Sequence, residues 1–203
     1  MTSIIKVDTL QTAAGGVPTA GDLGLNTDGT ILEHLEGHCD GRTVGGVTFP
    51  SVTSWINFNT AVYTDVAGSN ITYTPPSDAT LVVYKFTFSF YGSTAGGISH
   101  YRTYIDTDEA TLNRTTLAAN YQTASLHDHR IQTITLPIVV GGTQDVANGK
   151  LSSWTSAKTI KIMARAYNSG YYFSLHKNNW WDGTGASGSD QIRIPTLSIT
   201  AVK

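Results

Sequence analysis

The chain has 203 residues and a net charge of -2, with 40% hydrophobic and 10% aromatic residues. Only 14% are charged, against about a quarter in an ordinary soluble domain, and the lack of a Lys/Arg cluster argues against nucleic acid as a partner. The single cysteine, Cys39, excludes an internal disulfide. No basic-then-apolar leader opens the chain and no apolar run approaches membrane-spanning length, so the expected protein is soluble, is not exported by an evident signal and does not insert in a membrane.

In chain order, residues 1–44 differ from the rest. Ser3 to Leu10 has the β-branched residues of one short strand, and residues 13–25 are Gly-rich and punctuated. Asn26-Thr27-Asp28-Gly29-Thr30 reads as a tight turn. Few side chains here are large and apolar, so this arm cannot build a core of its own; an oligomer or a larger assembly is expected to hold it. Ile31 to Asp40 reads as a single helical turn or an irregular connector, and Gly41 to Gly46 as a flexible junction. The boundary between arm (1–44) and head (45–203) is placed near residue 45.

From Val47 onward, strand-like runs alternate with turn residues. The clearest lies at residues 70–91. Pro75-Pro76-Ser77-Asp78 makes a corner, because proline cannot donate to a ladder. After it, Val82, Tyr84, Phe86, Phe88 and Phe90 alternate with Val83, Lys85, Thr87 and Ser89. A side-chain period of two sends the first set to a buried face and the second to a face that is wet or meets a neighbour. Ile160, Ile162, Ala164 and Ala166 share a face in the same way, and Tyr171, Phe173 and Leu175 alternate with Tyr172, Ser174 and His176. Parity changes at Pro195, where a bulge or bend is expected. Eight or nine strands without a long helical pattern predict an all-β, jelly-roll-like antiparallel sandwich with an extended N-terminal arm.

Two stretches carry a resemblance. Ser3-Ile4-Ile5-Lys6-Val7-Asp8-Thr9-Leu10-Gln11 with Ala13-Ala14-Gly15-Gly16 resembles the N-terminal signature of tail-fibre and other virion proteins of marine tailed bacteriophages. Ile71 to Ser77 followed by Leu81 to Tyr84, and the closing apolar strand Leu197 to Val202, resemble their C-terminal jelly-roll module. The resemblance covers the first sixteen residues well and residues 50–203 loosely. It implies a virion protein assembled in the host cytoplasm, a homotrimer, whose arm docks on other tail or capsid proteins through Ile4, Ile5, Val7 and Leu10. The long shaft usual in the family has only residues 17–44 to fill it. That favours a short tail fibre, a knob or a capsid decoration protein.

Each candidate site competes with a simpler role. Asn178, Asn179, Trp180, Trp181 and Asp182, near Tyr172, offer indoles to stack on sugar rings and amides to bond their hydroxyls; the alternative is that the indoles pack in the core and in a subunit interface. His127 and His129 share one strand face, and at a trimer axis they would present six imidazoles to a transition metal; the alternative is a solvent-facing turn. His34, His38 and Cys39 have the spacing of a helical ligand pair plus a thiol but lack a fourth ligand. Asp106, Asp108 and Glu109 suit Ca²⁺ or glycoside hydrolysis without the Gly and final Glu of an EF-hand loop. With no catalytic constellation, the expectation is a non-enzymatic virion protein without a cofactor, its head displaying loops for a host surface polysaccharide. The alternatives are a capsid cement protein and a lectin-like or carbohydrate-active module. The last requires carboxylates and aromatics in one cleft.

Overall fold

The computed structural model describes residues 28–92, 97–118, 128–178 and 191–203. Its framework is eight strands: β1 (Ile31–His38), β2 (Ile71–Tyr73), β3 (Leu81–Gly92), β4 (Ile98–Ile105), β5 (Thr115–Ala118), β6 (Asp128–Val140), β7 (Lys158–Ala166) and β8 (Thr196–Val202). One sheet has the order β1-β8-β3-β6 and the other β2-β7-β4-β5. All pairings among these eight are antiparallel. First strand beside last in one sheet, and second beside seventh in the other, is the strand order of a jelly roll.

The core forms where the alternation of the sequence points it. Val82, Tyr84, Phe86, Phe88 and Phe90 of β3 are buried, facing Tyr101 and Ile105 of β4 and the Ile160, Ile162, Ala164 and Ala166 face of β7. Phe88 and Tyr101 meet across the sheets with ring centroids 5.6 Å apart. The small alanines of β7 leave room for the aromatic rings of β3, as close packing demands. A polar pin joins the layers. Tyr84 Oη donates to the Ser69 carbonyl at 2.7 Å, while Ser69 Oγ accepts from Ile162 N at 3.0 Å.

The structure corrects three expectations. Ile31 to His38 is a strand, and neither a helical turn nor a connector: Leu35, Gly37 and Cys39 point inward while His34, Glu36 and His38 point out. Its start is tied to the chain's last residue, with Gly29 N donating to Lys203 O at 2.6 Å and Lys203 N to Thr30 O at 3.0 Å. Residues 28–44 therefore belong to the sandwich. The junction at Gly41 to Gly46 is ordered into a hairpin, Thr43–Val44 against Val47–Thr48. Residues 1–27, with Ile4, Ile5, Val7 and Leu10, lie outside the described residues. The second correction concerns Phe173 to His176, all four of which are buried. The short strand Phe173–Leu175 pairs on one edge with β3 and on the other with Ile56–Phe58, and its faces are covered as well, Phe173 stacking on Phe58 and Phe90 and Ser174 Oγ donating to Asn57 Oδ1. Third, Ser89 shares the sheet face of Lys85 but is not wet there: it is buried, and its hydroxyl donates to Lys177 O at 3.3 Å. At Pro195 the chain turns from the short strand Gln191–Ile192 into β8, and the Pro195 carbonyl accepts from Cys39 N at 2.9 Å.

Candidate functional site

The outer surface of the β1-β8-β3-β6 sheet is built of short polar side chains in register. One row runs Glu36, Ser198, Lys85, Thr135; the next runs His38, Thr196, Thr87, Thr133. The Thr87 and Thr133 hydroxyls lie 2.9 Å apart, and the His34 ring meets Thr200 Oγ1 at 2.8 Å.

Beside the second row this face hollows into a groove of about 380 Å³, lined by His38, Asp40, Thr87, Ser89, Ile131, Ile194 and Thr196 among others. Past Ser89, Ile131 and Arg193, which border both, it continues into a hollow of about 200 Å³ with His129, Arg130, Lys177 and Asn178. Together they reach the size range of small-ligand sites.

The fold places each member. Ile131 pairs with Ser89, Arg130 with Phe90 and His129 with Tyr91 along the β6–β3 ladder. Lys177 and Asn178 pair with Ile192 and Gln191, and this ladder carries Arg193 to the same wall. His176 anchors this wall from behind: its N–H donates to Ser89 O at 2.9 Å and its carbonyl accepts from Arg193 N at 2.8 Å. Its φ of +62° turns the strand there. The Lys177 ammonium sits 4.7 Å from the Trp55 ring centroid and 4.9 Å from that of Tyr91, a cation held over two π faces. The Tyr91 and His129 rings are 4.8 Å apart.

The groove and hollow carry both signs of charge. Asp40 is gripped by Arg42, whose Nε donates to it at 2.8 Å, and this hydrogen bonding holds its carboxyl down at about 2. Arg193 lines the same groove as Asp40, and Arg130 and Lys177 lie in the adjoining hollow. His176 adds no charge at neutral pH, since burial pushes its imidazole down to about 4.

Two residues expected in separate sites, Asn178 and His129, thus share one hollow. Tyr172 is 38% exposed but does not line the groove; it follows the turn Ser169–Tyr171. His127, Asn179, Trp180, Trp181 and Asp182 lie outside the described residues. The His34/His38/Cys39 set is split by the strand: the histidines face out, while Cys39 is buried with Sγ 3.3 Å from Gly68 O and its thiol pushed up to about 12 by burial. Among the described residues no three His, Cys, Asp or Glu side chains gather as a metal site.

Asp106 is paired with Lys158 at 3.0 Å and accepts from Thr159 N at 2.8 Å, while Glu109 is held by Arg114 at 2.6 Å and Arg102 at 3.4 Å. They stand at the other end of the sandwich from Asn178. Thr159 pairs with Thr72, beside Tyr73, whose ring meets Trp154 next to Thr80 at the start of β3. Asn178 adjoins Ser89, near the end of β3. The cationic members Arg130, Lys177 and Arg193 carry no linear signal, because three separate segments supply them.

Fold and groove define a jelly-roll sandwich with one hollowed outer sheet. No protein-family model matches the chain, and no curated protein matches it in sequence. Among the described residues no helix is long and apolar enough to cross a membrane.

Proposed function

We propose that the chain is a non-enzymatic virion protein of a tailed phage, a short-fibre-like or receptor-binding head whose groove takes a saccharide chain of the host surface. The observation that carries the saccharide reading is the make-up of the groove. Thr87, Thr196 and Asn178 offer donors and acceptors to sugar hydroxyls, and Ile131 and Ile194, 49% and 37% exposed, offer apolar surface to sugar C–H faces. The virion reading is supported by the resemblance of residues 3–16 and by the jelly-roll order that this resemblance implies. Residues 1–27 are the proposed particle-attachment arm, and the low charge of the head suits packing as a homotrimer. The ion-paired carboxylates Asp106 and Glu109 do not supply a free acid or base to a groove at the other end of the fold.

The test is binding of the full-length protein to host cells and to polysaccharide extracted from them, with Ile131→Ala and Asn178→Ala in parallel. Loss of binding in both variants, with thermal unfolding unchanged, is expected. Binding indifferent to both substitutions would place recognition elsewhere. Sedimentation equilibrium is expected to give a trimer.

A further inference from the structure

We infer that the groove selects a neutral sugar that carries a methyl group, as a 6-deoxyhexose or an N-acetylhexosamine does, and seats that methyl against Ile131 and Ile194. This rests on the saccharide reading of the same groove and names the class of sugar it takes. The apolar side of the groove is aliphatic. Along β6 the outward series Thr135, Thr133 gives way to Ile131 where the strand reaches the groove. Ile194 comes from the segment leading into β8, and Ile192, half-buried against the core, lines the same groove. The one benzene ring among the described lining residues, Phe88, is 2% exposed and has no face to offer.

That composition decides what the groove can hold. An aromatic face carries a quadrupole, which attracts the C–H groups of a flat sugar ring whatever its substituents. Isoleucine has no such field, and it gains only by removing apolar area from water. On a plain hexose every C–H patch is bordered by hydroxyls, which a hydrocarbon wall would strip of water without replacing their hydrogen bonds. A methyl group brings apolar area and no hydroxyl. The polar side of the groove fits a neutral sugar. Asp40, held by Arg42 Nε at 2.8 Å, keeps lone pairs that can accept from hydroxyls, and the Arg193 guanidinium can donate to them. An anionic sugar would meet the carboxylate and a cationic one the guanidinium. A hydroxyl, donor and acceptor at once, suits both, and Thr87 and Thr196 extend the same polar wall.

The experiment measures binding of the full-length protein to two pairs of oligosaccharides of matched length and linkage. One pair is 6-deoxymannose against mannose, the other N-acetylglucosamine against glucose. The methyl-bearing member of at least one pair is expected to bind about fourfold or more tighter than its partner, the scale of one buried methyl. Which pair shows the preference tells a 6-deoxy methyl from an acetamido methyl. Ile131→Thr and Ile194→Thr keep the branched Cβ but exchange hydrocarbon for hydroxyl. Each is expected to bring the methyl-bearing member down to the level of its partner and to leave the partner unchanged. Both isoleucines are exposed, so an unchanged melting curve is expected to show that the variants fold. Equal binding within both pairs would overturn this inference and leave the saccharide reading standing. So would a preference that survives both substitutions, or binding of the host polysaccharide with none of the four probes. Failure to bind any probe or the host polysaccharide would overturn both.

Discussion

His176 Nε2 lies 2.9 Å from the carbonyl oxygen of Ala67, so the ring must donate there and leave Nδ1 as a bare, buried lone pair. The edges of Phe86 and Phe88 close the site, with ring centroids 6.2 and 6.5 Å away. Protonating Nδ1 would put an unpartnered charge among aromatic rings, which is why burial drives the imidazole down to about 4 from its ordinary 6.5. The unfolded chain then binds the proton more readily than the folded one. Stability is full above about pH 6.5, falls as the pH drops toward 4 and loses about 3 kcal/mol across that window. Urea unfolding at stepped pH measures it. His176→Asn, which tolerates the positive φ, is expected to flatten the slope.

The pin between the sheets leads to a second expectation. Ser69→Ala takes the acceptor from Ile162 N–H and is expected to cost about 1–3 kcal/mol, the penalty of an unmade buried hydrogen bond. Tyr84→Phe keeps the packing and removes only the bond to Ser69 O, so about 1 kcal/mol is expected. Equilibrium unfolding of both single variants and the double variant would show a coupling energy, since the two changes share one residue.

Truncation separates arm from head. Removing residues 1–27 is expected to leave a folded sandwich with the same near-UV spectrum as the full chain. Removing residues 1–44 deletes β1, strips β8 of its edge partner and uncovers the site of Leu35 and Cys39. That shorter fragment is expected to lose cooperative unfolding, and a sharp melt from it would show β1 to be dispensable to the sandwich.

Gly149 and Gly142 form a matched pair. Both have positive φ, +67° and +84°, but a Cβ at Gly149 would stand 2.8 Å from the Pro137 carbonyl oxygen, whereas at Gly142 nothing lies within 4 Å. Gly142→Ala is expected to cost about 1–2 kcal/mol for the left-handed conformation alone. Gly149→Ala should cost clearly more, because backbone cannot step aside. Melting temperatures of the two variants test the order.

The sandwich is legible wherever a strand alternates large with small or polar side chains. Val82 to Phe90 and Ile160 to Ala166 show their buried faces in the sequence because each inward position is apolar and each is followed by a tolerant outward one. β1 hides the same pattern. Its inward positions include Gly37 and lead on to Cys39, small residues that leave room for neighbours such as Phe49, so the apolar signal is carried by a residue outside the strand. His176 is hidden for another reason: Phe173 to His176 are covered on both faces, so a period of two no longer separates inside from outside. Of the candidate site, Asn178 and His129 stand out in the sequence, but for different ligands. Their meeting, and the arrival of Arg130, Lys177 and Arg193, depends on long-range ladders that spacing along the chain cannot encode.

The hydrogen bonds that join Gly29 and Thr30 to Lys203 also fix a direction. β1 runs from that knot at Ile31 to the groove at His38, a path of about 23 Å at the usual rise of an extended strand. Any segment preceding residue 28 therefore leaves the head at the pole opposite the cations. A head tethered by residues 1–27 would hang from its own particle by one pole and present the other to whatever the particle approaches.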